Sequence, residues 1–338
     1  MFRIARKPIL KALNLEEAFL ARTAVARERI AYALRAGLPL SKDLQAQHAE
    51  VSRLVDTFTR AGRRPGAPAV AEAQLNQLAE ALDQGSADLV YRVLRNQALG
   101  AFRKARQITD AALPYQPRTT SAPSRLARWF QALDEKALDL ISPVRPGGPL
   151  RKQVIRDVKH LSATNAPGPL GVSLKWSRKN VINASSHGDN TYTISEKTAK
   201  QFSRDTVGCV MGHELAHDRH LDLVGDDMAR QAMAAIAPDS PLLKADVAAA
   251  RKKVMTKLSV VAEAQADADG VRFAARAGHD PRAFGDFFAH VEARNLPDSH
   301  YAAVGYPTPR QRRQGVERII AAEDLVRVAT EARGRRPA

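Results

Sequence analysis

The sequence predicts a mainly α protein of the α+β kind, with a helical first domain and a second domain that adds a small β-sheet to its helices. Three observations carry this expectation. Aromatic residues make up only 5% of the 338-residue chain while Ala, Leu and Arg are plentiful, a mix that favours helix over strand. Apolar residues recur at helical spacing through most of the first 145 positions. Residues with strand preference gather in one stretch, Leu170 to Ile194. A chain of this length exceeds the common size of one domain. The boundary is placed at the Pro- and Gly-rich Ser142–Pro149. This gives a helical domain over 1–145, a second domain over 146–330 and a basic, disordered tail over 331–338.

Taken in order, Asn14 can cap a helix that runs through Leu20, Val25 and Ile30 to Gly37, with Pro39 beyond. Ser41 can cap the next, with Leu44, His48, Val51, Val55 and Phe58 on one stripe and Gly62 at its end. His48 on that stripe reads as a core residue. Arg63–Pro68 breaks the pattern. A third helix covers about Ala69 to Gln84. A fourth, about Ala87 to Ala112, turns Leu89, Val93, Leu94, Ala98 and Phe102 inward and Arg92, Arg95, Arg103, Lys104 and Arg106 outward. Gln116–Ser124 reads as a linker, and the next helix carries Trp129, Phe130, Leu133 and Leu138. The second domain opens with a helix over about Leu150 to Ser162. Short strands follow at Leu170–Trp176, Lys179–Asn183 and Thr191–Ile194. Ser195 begins another helix, and Asp205 can cap the one after it. Asp226–Lys257 is a polar, Ala-rich helical insertion broken at Pro238 and Pro241, and Ser259–Pro281 reads as one helix with Gly278 near its end.

Hydrophobic and charged contents of 44% and 26% are those of a globular protein. The formal charge of +16 makes an anionic partner a candidate. The basic residues are spread along helices, however, and no motif indicates nucleic acid. With Cys209 as the single cysteine, neither an intramolecular disulfide nor a Cys-based zinc site is available. No run approaches the roughly 18 apolar residues of a membrane span, so no integral membrane segment is expected. Glu16 and Glu17 interrupt the only candidate leader. Cytoplasmic residence is therefore expected, with export by a route lacking a cleaved signal as the alternative.

The chemistry concentrates in His213-Glu214-Leu215-Ala216-His217. On a helix, positions i and i+4 share a face, so His213 and His217 can grip one zinc ion. Glu214 lies roughly 100° round the same helix, where it can take a proton from a water at the metal without being a ligand. Val207, Val210, Met211 and Leu215 give this helix a wide apolar surface, which places it in the interior. A catalytic zinc wants a third protein ligand. His220 lies seven residues past His213, about 10.5 Å along a continuing helix, too far to share the ion. Glu263 and Asp267, four apart on the Ser259–Pro281 helix, offer a ligand and a carboxylate to orient a ligand His. Read alone, they are equally two solvent-facing acids.

The HELAH helix, followed after an insertion by Glu263-Ala264-Gln265-Ala266-Asp267-Ala268-Asp269-Gly270, resembles the gluzincin family of HtpX-like and CaaX prenyl protease 1-like zinc peptidases. That family carries H-E-x-x-H and then E-x-E-A-D-x-x-G, from which this chain departs only at Gln265. The stretch Ala275-Arg276-Ala277-Gly278-His279-Asp280-Pro281, the Asn183-Ala184 pair and the strand through Thr193 are similar to further family elements. The resemblance covers about Leu150 to Val328. It implies a zincin-like domain with two zinc-ligand helices, one Zn²⁺ held by His213, His217 and Glu263, and Asp267 behind a ligand His. The family's His-Pro, with Arg five positions after the Pro, is altered here: Arg312 fits but Tyr306 stands at the His position. Tyr306 and Arg312 are then candidates to stabilise the tetrahedral intermediate, with His300 as a substitute from the preceding loop.

The resulting expectation is a zinc endopeptidase acting on protein or peptide substrates, with Glu214 as general base. The alternative is a non-catalytic or toxin/effector-like binding protein on a peptidase fold, whose basic helical region holds an anionic partner.

Overall fold

The computed structural model describes residues 6–60, 72–111, 148–165, 172–188, 190–294, 301 and 306–335. The expected breaks and helix between 112 and 147, the Arg63–Pro68 break and His300 lie outside the described residues. The fold is mainly helical with one small mixed sheet, as the composition predicts. It divides into two compact units, Met1–Ala101 with Met228–Met255, and Phe102–Asp227 with Thr256–Ala338.

The first unit holds helices α1 (Arg6–Arg35), α2 (Lys42–Arg60) and α3 (Glu72–Ser86) and most of α4 (Leu89–Ala111). Asn14 lies inside α1, which begins earlier than a cap at that position would allow. Gly37 (φ 72) ends it, with Leu38 N–H donating to Ala33 O at 2.9 Å and Gly37 N–H to Leu34 O at 3.0 Å. This is the paired closure that a left-handed residue permits. The apolar stripe of α2 is buried at Leu44, Val51, Leu54 and Val55, and Phe58 meets Phe19 edge-on with centroids 6.0 Å apart. All five residues expected to face inward on α4 are buried, while Arg92, Arg95, Arg103 and Lys104 are exposed.

The second unit begins with the end of α4 and continues with α5 (Pro149–Asn165), β1 (Ser173–Ser177), β2 (Ala184–Ser186), β3 (Thr191–Ser195), α6 (Glu196–Gln201) and α7 (Arg204–Arg219). The sheet order is β1-β3-β2, with β1 parallel and β2 antiparallel to β3. The middle strand falls later than the expected Lys179–Asn183. The Ser195 and Thr198 side chains bind the Val181 carbonyl (2.6 Å) and the Asn183 N–H (2.9 Å), so regular pairing starts at Ala184. Ser195 caps α6 as expected, accepting from Thr198 N–H. The cap of α7 is Ser203, accepting from Thr206 N–H. Asp205 is a first-turn residue instead, held by His279 and Arg333.

Helices α8 (Asp222–Ala235) and α9 (Lys244–Arg276) follow, separated by a 3₁₀ turn at Pro241–Leu243, and their stretch Met228–Met255 belongs to the first unit. The prolines break the insertion where expected, but the second helix of the site is longer than predicted: α9 is one 33-residue helix. After a 3₁₀ turn at Pro281–Ala283 come α10 (Phe284–Arg294), α11 (Pro309–Ala322) and α12 (Leu325–Gly334). The chain from Glu331 to Gly334 is helical, not a disordered tail. Arg333 anchors it by donating to Gly278 O at 3.0 Å and pairing with Asp205 at 3.2 Å.

Two apolar clusters meet at α7. Cys209 and Val210 pack with Val271, Phe284, Phe288, Val316 and Ile320. Val207, Met211 and Leu215 pack with Val154, Leu161, Tyr192 and Ile194. Each fully buried side chain of this kind contributes about 1.5–3 kcal/mol. Burial from two sides makes α7 the fixed axis of the unit, as its wide apolar surface predicts.

Candidate metal centre

The site forms where α9 lies directly on α7. A Cβ added at Gly212 would stand 2.5 Å from Gly270 O, and one at Gly270 would stand 2.7 Å from His213 Cα and N. Only glycines allow two helix backbones to approach this closely. The contact brings Glu263 of α9, two turns before Gly270, opposite the histidines of α7.

His213 and His217 turn their Nε2 atoms together, 3.0 Å apart. Glu263 Oε2 lies 3.5 Å from His213 Nε2, and Glu263 Oε1 lies 3.6 Å from His217 Nε2. Ligands in a tetrahedron with zinc bonds of about 2.0–2.1 Å stand roughly 3.3–3.4 Å from one another. The Nε2–Nε2 separation and the distance from each Nε2 to its nearer Glu263 oxygen bracket that value, so the donor set fits a zinc ion in size as well as in chemistry. These residues form the only His/Cys/Asp/Glu triad of this kind among the described residues.

Each histidine is oriented from behind. Asp267 Oδ1 lies 2.9 Å from His213 Nδ1, and Asp222 Oδ2 lies 2.8 Å from His217 Nδ1. A carboxylate at Nδ1 draws the ring proton there and leaves the Nε2 lone pair for a metal. Asp222 is a site residue that the sequence reading missed. It follows Leu221, whose left-handed backbone (φ 52) turns the chain sharply after α7. That turn, not a helical spacing, brings Asp222 back to His217.

Arg312 of α11 ties the carboxylates together. Its Nε and Nη2 each donate to Asp267 at 2.8 Å, and Nη2 also pairs with Glu263 Oε2 at 2.9 Å. The guanidinium is half-buried, 5.2 Å over the Phe288 ring. Burial pushes the Glu263 carboxyl up, but the His213 bond and the charges of Arg312 and the histidines outweigh it, holding it near 2. Burial likewise opposes the charge on His213, and its bonds to Asp267 and Glu263 reverse this, raising it to about 9.

Glu214 faces a cleft of about 400 Å³ between α7, β2, α9 and α10. The N–H of Ser186 donates to Glu214 Oε2 at 2.8 Å, so the open edge of the sheet fixes one oxygen of this cleft-lining carboxylate. Tyr306 lies beside Glu263. Burial pushes its hydroxyl up to about 12, helped by the Glu263 charge, and it bonds to Ser259 and Glu263. His220 stands apart from the triad, with Nε2 2.7 Å from Asp269.

A His₂Glu set with His213 buried and His217 and Glu263 half-buried, a carboxylate behind each histidine and an acid at the cleft, is an arrangement that could hold a metal ion. The family comparison agrees. Residues 150–320 match the model of Peptidase family M48, and the chain belongs to that family of zinc-dependent metallopeptidases. No curated protein and no solved structure matches the chain. No helix among the described residues is long and apolar enough to cross a membrane.

Proposed function

We propose that the chain is a zinc-dependent endopeptidase in which His213, His217 and Glu263 hold the ion and Glu214 is the general base. The observation that carries this reading is the convergence of two imidazole nitrogens 3.0 Å apart with a carboxylate whose two oxygens lie 3.5 and 3.6 Å from them, next to an acid that is not one of the three residues. Zn²⁺, when bound, supplies Lewis acidity and lowers the pKa of water to about 7. Glu214 Oε1 takes the proton of the attacking water and passes it to the leaving amine, while Ser186 N–H keeps Oε2 in place. Asp267 and Asp222 keep the ring protons on Nδ1. Arg312, with its Nε and Nη2 on Asp267 and Glu263, acts by positioning the third ligand. Tyr306 keeps its proton at neutral pH, and its hydroxyl turns from Glu263 to donate to the oxyanion of the tetrahedral intermediate. The outer edge of β2 holds the substrate as an added strand.

Glu214→Gln tests the mechanism: zinc content by elemental analysis stays at one ion per chain and peptide cleavage disappears. Undiminished cleavage by that variant sinks the assignment of the base. Glu263→Ala is expected to lose the ion, and unchanged zinc content removes Glu263 from the ligand set.

A further inference from the structure

We propose that this cleft selects a large apolar side chain on the substrate residue that immediately follows the cleaved bond, with Phe287 as the residue that sets the preference. The proposal rests on the peptidase reading above and gives it a substrate class.

The two ends of the cleft differ in chemistry. At one end Val210, one helical turn before Glu214, stands with Phe284 and Phe287. The Phe284 ring lies 6.1 Å from the His213 ring, and Phe287 stacks on Phe284 at 6.0 Å with planes 22° apart. Phe287 also packs against Phe202 at 5.7 Å. Val210 and Phe284 are buried in the core, which makes this wall rigid, and Phe287 is only half-buried and lines the cleft. The other end is formed by Leu223 and Asp226 of α8. There Leu223 reaches the β2–β3 turn, with its Cδ1 3.7 Å from a Cβ built at Gly188.

The sheet edge sets the direction of the substrate. Ser195 N–H donates to Asn183 O and His187 N–H to Thr191 O, both at 2.9 Å. Alternation in an antiparallel ladder therefore turns the N–H and C=O of Ala184 and Ser186 outward. The outward N–H of Ser186 is on Glu214, so Ala184 is the residue with both its N–H and its C=O left to pair with substrate. Ala184 packs against the Phe284 cluster, and the turn after Ser186 meets Leu223. β2 thus runs from the aromatic end of the cleft to the Leu223 end. A peptide added antiparallel, the more stable pairing, runs the opposite way. Its leaving-amine side then lies at Ala184, with the first side chain after the cut against Val210 and Phe287.

An apolar pocket discriminates by about 10–200-fold for a single methylene, so Phe or Leu against Ala at this position is expected to differ by at least about 100-fold. The test uses the full chain loaded with zinc and a peptide library varied on both sides of the bond. Wild type is expected to cut before Phe, Leu and Met and to reject Asp and Ala. Phe287→Ala narrows the Phe-to-Ala ratio of kcat/KM about tenfold or more, Phe287→Leu restores most of it, and zinc content is the same in all three. Cleavage without preference at that position, a preference confined to the residue before the cut, or an unchanged ratio in Phe287→Ala overturns the proposal. The wild-type profile decides the matter alone if Phe287→Ala does not fold. Absence of any zinc-dependent cleavage counts against the peptidase reading instead. The pocket is then read by fluorescence anisotropy of Phe- and Ala-containing peptides on zinc-loaded Glu214→Gln, where equal affinity rejects it.

Discussion

Replacing Gly270 by Ala puts a methyl group where α9 rests on α7. The new Cβ falls 2.7 Å from the Cα and N of His213 and 3.1 Å from the carbonyl carbon of Gly212. Carbon atoms pack at about 3.5–4.0 Å, so the helices must part by roughly 1 Å. All three neighbours are backbone atoms and no side chain can swing aside. Overpacking of this kind costs about 1–3 kcal/mol, while Ala in place of helical Gly returns about 1 kcal/mol. Gly315 of α11, where an added Cβ meets nothing within 4 Å, is the control that shows the gain alone. Denaturant melts are expected to place Gly270→Ala below Gly315→Ala by about 1–3 kcal/mol. The metal is more sensitive. Ligand distances tolerate about 0.2 Å, and parting the helices moves Glu263 from both histidines. Competition with a chromophoric chelator is expected to show zinc affinity at least about tenfold weaker, the scale seen when a site's supports are disturbed. Equal stability of the two variants with unchanged zinc affinity refutes the claim that the glycine contact builds the site.

Asp222→Asn is expected to weaken zinc about 10–100-fold, measured with the same chelator, although Asp222 is not a ligand. Glu214→Gln lowers kcat by at least about 10²–10⁴-fold with KM little changed, and a comparable loss of zinc would mean that Glu214 holds the ion. Leu221→Gly removes a left-handed strain of about 1–2 kcal/mol. Part of the gain is lost to chain entropy, so the melting temperature rises or holds; a clear fall would show that the Leu221 side chain contributes more than its backbone costs. The Asp205 carboxyl is held below its ordinary range by its His279 bond, against burial and with help from Arg333. A depressed carboxylate stabilises above its unfolded pKa, near 3.9, and loses that contribution as pH falls further. Arg333→Ala is therefore expected to raise the pH of acid unfolding, and an unmoved midpoint would remove Arg333 from that interaction.

Much of the site was legible in the sequence because helical spacing is a local property. His213, Glu214 and His217 needed only 3.6 residues per turn to be placed on one side of α7, and the apolar residues around them correctly announced a buried helix. Glu263 and Asp267 were legible as a pair, but their spacing did not distinguish ligands from surface acids. A family resemblance was needed to choose. Asp222 carried no periodic signal at all, since it reaches His217 through a left-handed residue just beyond the helix. The helical turn Glu331–Gly334 is not legible in composition: Arg333 reads as a solvated charge until Gly278 O and Asp205 are brought to it.

The sequence by itself determined most of the described helices, the position of the strands to within a few residues, and the candidate ligand types, because propensity, periodicity and spacing act over a few residues. Only the tertiary structure decided that Gly212 and Gly270 touch, that Arg312 is committed to Asp267 and Glu263, and that a backbone N–H of Ser186 holds Glu214. Each of these joins residues far apart in the chain, and two depend on backbone atoms that every residue type carries. Their placement follows from how the apolar faces of α7 pack, which no local pattern encodes.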